Sequence, residues 1–208
     1  MSRFSQGLMK DQSDSYPGYL ALKKRNRLRS RIDKARDILR ECTLCPRLCR
    51  VNRMENETGV CKTADKAVVA SFAPHFGEEP PLVGTHGSGT IFFSHCSLRC
   101  CFCQNCDISL DGDGQAAEPG HIAAVMLELK KRGCHNINLV TPTHVVPQFL
   151  AALDIAADHG LDLPVVYNCG GYDQTETLAL LDGVIDIYMP DFKFWDTDIA
   201  RQACQAPD

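Results

Sequence analysis

The chain reads Cys96-Ser97-Leu98-Arg99-Cys100-Cys101-Phe102-Cys103 shortly after the apolar run Thr90-Ile91-Phe92-Phe93-Ser94. The apolar run predicts a buried strand, and the loop that leaves it carries cysteines in the order Cys-x-x-x-Cys-x-x-Cys. Three thiolates at this spacing can bind three irons of a cubane iron-sulfur cluster and leave the fourth iron without a protein ligand. An iron that lacks a protein ligand is a place where chemistry can occur.

Composition narrows the class of protein. The 208 residues are 44% hydrophobic and carry a formal net charge of −4. A chain of this size can bury a sizeable core, which predicts one globular domain with an appendage. The small net charge disfavours general nucleic-acid binding. No apolar run approaches the roughly 20 residues of a membrane span, and residues 1–15 lack the apolar part of a signal peptide. We therefore expect a cytoplasmic protein with no nucleic-acid or membrane partner.

Twelve cysteines are an unusual number for such a chain. In a short secreted protein they would indicate disulfides, but no secretory signal precedes them and they cluster at metal-like spacings. Four of them, Cys42, Cys45, Cys49 and Cys61, lie within one short segment. Their spacing is compatible with a closed tetrahedral zinc site, with a second iron-sulfur cluster, and with unligated buried thiols. The sequence does not decide the metal.

The segment before these cysteines has a helical pattern. Between residues 19 and 41, apolar side chains recur at Leu28, Ile32, Ala35 and Leu39, while basic residues occupy the other faces. This predicts an amphipathic helix that docks by one stripe. The alternative is that the basic faces form a docking patch for an acidic redox partner.

Strand and helix patterns alternate through the rest of the chain. Predicted strands at 91–94, 137–141, 164–168 and 185–190 are separated by predicted helices at 116–132, 145–159 and 176–181. This alternation predicts right-handed βαβ crossovers, a parallel sheet and a barrel-like α/β architecture. In such folds the site lies at the carboxyl ends of the strands, which here carry residues 96–106, 141–144, 168–171 and 191–193.

The last of these strand ends carries charge. Met189, Asp191 and Lys193 share one face of the strand, opposite an apolar face. Two charges that point into a poorly solvated interior are unfavourable without partners, and a charged ligand or cation would offset that. The alternative is that Asp191 and Lys193 pair with each other or reach solvent at the strand tip.

Several motifs together resemble a known family. The stretch Cys96 to Cys103, continued by Gln104-Asn105, resembles the cluster loop of the radical S-adenosylmethionine (SAM) superfamily. Tyr167-Asn168-Cys169-Gly170-Gly171-Tyr172-Asp173, Asp186-Ile187-Tyr188-Met189-Pro190-Asp191-Phe192-Lys193 and the cysteine-rich segment 42–61 resemble its branch of pyruvate formate-lyase activating enzyme-like iron-sulfur proteins. The resemblance runs from about residue 40 to residue 194.

The resemblance implies cofactors and partners. Cys96, Cys100 and Cys103 would hold a 4Fe-4S cluster, and the amino and carboxylate groups of SAM would chelate the open iron. Electron transfer from the reduced cluster into the sulfonium would give methionine and a 5′-deoxyadenosyl radical that abstracts hydrogen. The protein would orient SAM and exclude side reactions. The implied partners are an electron donor such as flavodoxin or ferredoxin and a protein substrate, possible examples of which are glycyl radical enzymes.

The resemblance also implies roles for single residues. Phe102 would lie against the adenine, and Asp191 and Lys193 would lie beside the carboxylate and ribose of SAM. Asn168 and Met189, together with Cys169, match positions that help to hold a monovalent cation near the SAM carboxylate.

One departure from the family concerns the SAM amino group. The Gly-Gly-Glu type of segment that receives it is replaced here by Thr141-Pro142-Thr143-His144, so this contact is unassigned. Thr141, Thr143 or their carbonyls could replace it, and His144 is either a substrate-side proton donor or a loop histidine. A shifted ligand set with Cys103 and Cys106 is a weaker alternative. The isolated cysteines are expected to be buried or idle thiols; they are Cys134, Cys169 and Cys204.

These patterns predict three parts of the chain: a loose tail at 1–17, a helical and cysteine-rich metal-binding segment at 18–66, and a radical SAM core at 67–208. Only four core strands can be counted where the family usually has six, so we expect a partial parallel (β/α) barrel in a C-terminally shortened member. The alternative function is a non-catalytic iron-sulfur or zinc-binding protein. A thioredoxin-like dithiol enzyme that uses Cys42 and Cys45 is disfavoured by the nearby Cys49 and Cys61.

Overall fold

A mixed six-stranded sheet forms the centre of the structure, a computed structural model that describes residues 16–206. The strands are β1 (Ala67–His75), β2 (Ser88–Phe93), β3 (Gln115–Ala117), β4 (Ile137–Val140), β5 (Val165–Cys169) and β6 (Ile187–Pro190). Their order across the sheet is β3-β1-β2-β4-β5-β6. The helices are α1 (Gly18–Lys24), α2 (Arg27–Ile38), α3 (Pro80–Val83), α4 (Pro119–Lys131), α5 (Val146–Asp158), α6 (Thr175–Leu181) and α7 (Thr197–Cys204).

The parallel half of this sheet confirms the predicted α/β alternation. Strands β2, β4, β5 and β6 are parallel neighbours, and α4, α5 and α6 lie in the connections between them. Each connection has the length and helix content that a parallel crossover requires. Over residues 16–206 the sheet is open rather than closed on itself.

The antiparallel half was not predicted. Strand β1 pairs antiparallel with β2 and with β3, so the sheet is not purely parallel. The predicted helix 116–132 consequently begins only at Pro119, because Gln115–Ala117 pair with β1. Proline favours the first turn of a helix and cannot donate to a strand ladder, which fixes this boundary. Strand pairing between distant segments leaves little trace in local pattern, which is why β1 and β3 were missed.

The register separates the two faces of the sheet. One row across the parallel strands consists of Ile91, Leu139, Tyr167 and Tyr188. Its first three members are fully buried, and the Tyr167 ring packs against Phe149 of α5 with 6.3 Å between ring centroids. The helices therefore cover this face. The adjacent row lies on the opposite face and is partly exposed; it consists of Phe92, Val140, Asn168 and Met189.

The N-terminal helical segment joins the same core. The predicted stripe of Leu28, Ile32, Ala35 and Leu39 is buried, which confirms how the helix docks. The single predicted helix is wrong, because Asn26 adopts a left-handed backbone (φ 55°) that separates α1 from α2. The alternative of a basic docking patch is weakened, because several of these basic side chains form ion pairs within the chain. Lys23, for example, pairs with Asp154 and Asp158, both on α5.

The predictions of a loose tail and of no membrane span can be compared with the structure only over residues 16–206. Residues 1–15 of the predicted tail lie outside them. Among residues 16–206, no helix has both the length and the apolar character that a bilayer span requires.

Tyr19 offers a test of how α1 is held. Its side chain is fully buried, and its hydroxyl donates to the carbonyls of Leu161 and Leu163 at 3.0 and 3.2 Å. Tyr19→Phe removes the donor and leaves buried carbonyls unsatisfied, so we expect the free energy of unfolding to fall by about 1–2 kcal/mol in urea titrations. Tyr16→Phe is the control, because the Tyr16 side chain is 70% exposed. Equal midpoints for the two variants would contradict the assignment.

Candidate functional site

The loops at the carboxyl ends of the parallel strands line one cleft of about 1550 Å³, part of it open to solvent. This confirms the predicted position of the strand-end segments relative to one another. The candidate residues that line this cleft are Cys96, Cys100, Phe102, Cys103, Asn168, Asp191 and Lys193. Met189 lies instead in a neighbouring cavity, which shares Asn168 and Asp191 with the cleft.

The cysteine loop is shaped by short contacts within its own segment. The backbone N–H of Leu98 donates to Cys96 Sγ at 3.3 Å, and the Cys103 thiol lies 3.0 Å from the Ser109 hydroxyl. The loop begins at His95, which has a left-handed backbone (φ 69°) and donates its N–H to the carbonyl of Ile108. The chain can therefore leave β2 in a sharp turn that returns the thiols to the strand ends.

A fourth thiol lies against this loop. Cys204, at the end of α7, places its Sγ 3.2 Å from Cys100 Sγ, and both side chains are buried. Two backbone hydrogen bonds hold the segments together, from Arg99 N–H to the Cys204 carbonyl and from Cys101 N–H to the Ala203 carbonyl. Cys204, which is isolated in the sequence, is therefore buried, one of the two predicted states, and it also contacts a thiol of the cysteine loop. No local signal could reveal this pair, because 104 residues separate its members.

Burial and a nearby cation act in opposite directions on these thiols. Burial raises the pKa of Cys96 to about 11 and that of Cys100 to about 12, while the Lys193 ammonium favours the thiolate of both. Bound iron would favour the same ionised form. The donor set and its electrostatics thus fit an iron-sulfur cluster.

The geometry of the thiols is not that of a bound metal. Within residues 16–206, no three cysteine, histidine, aspartate or glutamate side chains are arranged so that they could hold a metal ion. A metal would therefore have to draw the side chains together by rotation. The assignment of Cys96, Cys100 and Cys103 as ligands stays a prediction.

Asp191 and Lys193 pair with each other at the wall of the cleft. Lys193 Nζ lies 2.7 Å from Asp191 Oδ2, with the lysine side chain 25% and the aspartate side chain 58% exposed. Burial lowers the pKa of Lys193, but the hydrogen bond and charge of Asp191 outweigh it, so the pKa is raised and the side chain stays cationic. The structure thus has the ion pair that the sequence left as one alternative, and the pair also faces the cleft.

Phe102 is the aromatic residue of the cysteine loop. Its ring meets Phe194 edge-on, with 5.7 Å between centroids, and half of the side chain is exposed. An exposed aromatic face at a cleft wall can stack on a planar ligand.

Residues 141–144 do not all line the cleft. Thr141 lines the cleft and has a left-handed backbone (φ 56°), which is a strained conformation for a β-branched residue. Thr143 turns away and donates to Asp173 at 2.7 Å, and His144 Nε2 lies 2.8 Å from the Ser94 carbonyl. The interpretation of His144 as a substrate-side proton donor finds no support in this placement, since its ring does not line the cleft.

The sequence-based predictions missed one acidic and one basic residue that line the cleft. Glu78 and His75 both line it, with 3.2 Å between Glu78 Oε1 and His75 Nδ1. The Glu78 side chain is only 12% exposed. Both residues depend on β1 for their position, and the surrounding Gly77-Glu78-Glu79-Pro80-Pro81 indicated only a turn.

The four N-terminal cysteines line a second, smaller cavity of about 330 Å³ together with Arg53 and His144. Burial raises the pKa of Cys45 to about 12, and the neighbouring thiols of Cys42, Cys49 and Cys61 add to this. The predicted grouping is therefore present, whereas a metal in it stays a prediction.

Arg47 connects the two sulfur-rich regions. Its Nε donates to the Ser97 carbonyl at 2.9 Å, its Nη2 donates to the Cys204 carbonyl at 3.3 Å, and its Nη1 donates to the Gln205 carbonyl. The guanidinium also lies 5.5 Å from the centre of the Tyr172 ring. One side chain thus holds the N-terminal segment, the cysteine loop and the end of α7 together.

Comparison with known proteins finds a similar archaeal protein. No family model matches the chain. The chain is 35% identical over 188 residues to the uncharacterized protein MJ0674 of Methanocaldococcus jannaschii, a match that covers 86% of this chain and 53% of that protein. The chain therefore spans about half the length of this relative, whose name gives no activity to compare.

Proposed function

We propose that this chain is a radical SAM protein of the activating-enzyme type, in which Cys96, Cys100 and Cys103 hold a 4Fe-4S cluster. The observation that carries the proposal is that three cysteines, an exposed aromatic and a lysine-aspartate pair, contributed by different loops, line one cleft. In this proposal the four parallel strands are part of a (β/α) barrel, and the partly exposed sheet face is its interior.

A bound and reduced cluster would supply the electron for cleavage of SAM into methionine and a 5′-deoxyadenosyl radical. The residues of this chain bind and orient SAM. Lys193 provides a cation for the SAM carboxylate, because Asp191 keeps it protonated. Asp191, being half exposed, accepts hydrogen bonds from the ribose hydroxyls. Phe102 stacks on the adenine with its exposed ring face.

Residues beside the Asp191–Lys193 pair are assigned to the monovalent cation and to the amino group of SAM. Asn168 and Met189 are register partners on adjacent strands, and Asn168 lines both the cleft and the cavity beside it. We assign them to a monovalent cation near the SAM carboxylate. In place of the missing acidic segment, Glu78 accepts a hydrogen bond from the SAM amino group, since it is a largely covered carboxylate at the cleft wall.

The proposal includes an electron donor, a protein substrate and a cytoplasmic location. One-electron chemistry at this cleft requires a donor such as flavodoxin or ferredoxin, and the hydrogen donor would be a protein substrate such as a glycyl radical enzyme. A cluster held by reduced thiols suits the cytoplasm.

Anaerobic reconstitution tests the proposal. With iron and sulfide the protein is expected to develop a brown colour, and with dithionite and SAM it is expected to release 5′-deoxyadenosine. Serine at Cys96, Cys100 or Cys103 should abolish the release, because a ligand is lost. Cys134→Ser is the matched control, since its thiol lies 3.9 Å from the His86 carbonyl and lines neither the cleft nor the N-terminal cavity. A protein that binds iron equally well with all three serines would refute the assignment.

Glu78→Gln tests the amino-group contact. The amide keeps the size of the side chain but not its negative charge, so we expect the Kd for SAM to rise roughly tenfold, as for the loss of one charge-assisted hydrogen bond. Isothermal titration of the reconstituted protein measures this. Glu55→Gln is the control, because Glu55 is exposed and lines neither the cleft nor the cavity beside it. An unchanged Kd for Glu78→Gln would remove Glu78 from the site.

A second candidate function is a non-catalytic iron-sulfur protein, which the position of Cys204 favours. A thiol 3.2 Å from Cys100 Sγ is close enough to move onto the fourth iron and close the coordination shell.

Cys204→Ser separates the two functions. If Cys204 stays off the cluster, SAM changes the electron paramagnetic resonance spectrum of the reduced wild-type protein and of the variant alike. If Cys204 closes the shell, SAM changes the spectrum of the variant alone. The enzyme proposal predicts the first result.

A further inference from the structure

We infer that Cys42, Cys45, Cys49 and Cys61 form a tetrathiolate zinc site whose negative charge is partly balanced by the buried guanidinium of Arg53. This site is distinct from the cleft at the strand ends, and the inference does not depend on the proposed function.

The first observation is the arrangement of the four thiols around one cavity. All four side chains line it, and the backbone N–H of Arg47 donates to Cys45 Sγ. A side chain at Gly59 would clash there, because a Cβ atom would lie 2.6 Å from Cys49 Sγ. The glycine therefore lets the turn before Cys61 approach Cys49. Thiols from residues 42–49 and from residue 61 are brought to the same place.

The second observation is the charge beside this cavity. Arg53 is 1% exposed, and a guanidinium remains charged at any ordinary pH. Its Nε and Nη2 donate to the Ala64 carbonyl, its Nη1 donates to the His144 carbonyl at 2.9 Å, and Cys42 Sγ lies 3.8 Å from Nη1. Within residues 16–206, no carboxylate pairs with it among the ion pairs found.

A buried cation without an anion is unfavourable, even when carbonyls satisfy its hydrogens. Thiolates are the anions that this cavity can provide, and a bound metal is what makes cysteines ionise there. Four thiolates around one divalent ion carry a net charge of −2, which the Arg53 guanidinium partly cancels. The same cation would oppose metal binding if the ligands were neutral. The charge of Arg53 thus indicates thiolate ligands.

The third observation is the backbone beside the ligands. Leu48, Arg50 and Lys62 flank Cys49 and Cys61, and all three have left-handed conformations, with φ of 44°, 54° and 54°. Such conformations are unfavourable for residues with side chains and persist where another interaction holds them. Tight turns around thiols are suited to a single ion. Zinc accepts four thiolates in a tetrahedron, and a closed shell of this kind is structural rather than catalytic.

Zinc binding would draw the thiols inward, because their present positions are not those of bound ligands. The site would also stabilise the neighbouring cleft. Arg47, two residues after Cys45, reaches the carbonyls of Ser97 and Cys204 in the cysteine loop and at the end of α7.

The test uses the full chain with serine at Cys96, Cys100 and Cys103, so that a cluster at the cleft does not contribute. We expect about one zinc and no iron per chain after purification in medium that contains both metals. Replacement of zinc by Co²⁺ is expected to give the visible absorption of a tetrahedral thiolate site. Adding Cys45→Ser or Cys61→Ser should abolish both signals, whereas adding Cys134→Ser should leave them unchanged.

Arg53→Met and Arg53→Lys test the charge balance. Arg53→Met removes a residue that supports the ligands. We therefore expect the zinc Kd to rise roughly 10- to 100-fold, as measured by competition with a chelator. Arg53→Lys keeps the charge and should lose less affinity. If neither variant folds, the cobalt spectrum and the cysteine variants still decide the matter.

Several results would overturn the inference. Iron with sulfide in the triple-serine protein would show a cluster instead of zinc, and absence of metal would show idle thiols. If His144→Asn lost zinc although all four cysteines were present, His144 would be a ligand and the site would not be all cysteine. None of these outcomes bears on SAM cleavage, so the two proposals fail independently.

Discussion

The parallel pairing of β2, β4, β5 and β6 is the constraint on which the cleft depends. Parallel strands in register bring their carboxyl ends to one edge, so the loops that follow them meet although they are far apart in sequence. The same register puts one row of side chains under the helices and the adjacent row on the partly exposed face. The cysteine loop, Asn168 and the Asp191–Lys193 pair are neighbours for this reason.

Buried sulfur and buried arginine then determine the electrostatics. Burial disfavours the ionised thiols of Cys96 and Cys100, and the Lys193 ammonium acts against this. At the N-terminal cavity burial disfavours the ionised thiol of Cys45, and the Arg53 guanidinium lies 3.8 Å from Cys42 Sγ. Such pairs of opposing effects are common at functional sites, because a bound metal or charged ligand shifts the balance between them. Arg47 joins the two regions mechanically through the carbonyls that it binds. Arg47 therefore ties the N-terminal segment to the cysteine loop and to the end of α7.

Local pattern predicted the elements whose environment is regular. The helix stripe from Leu28 to Leu39 and the four parallel strands follow directly from hydrophobic periodicity, because burial on one side imposes it. Strand β1 was missed because it is half exposed and pairs antiparallel with strands on both sides. Asn26 was missed because one left-handed residue can divide a helix without disturbing its apolar stripe. Glu78 remained hidden as a consequence of missing β1.

The sequence by itself determined the α/β alternation, the two groups of cysteines and the strand ends at which site residues gather, because spacing and periodicity are local properties. Only the tertiary structure decided that Cys204 lies against Cys100, that Asp191 pairs with Lys193, that His144 lines the N-terminal cavity and not the cleft, and that Arg53 is buried beside four thiols. Contacts between segments far apart in the chain arise from packing of the whole core, and no short stretch of sequence encodes them.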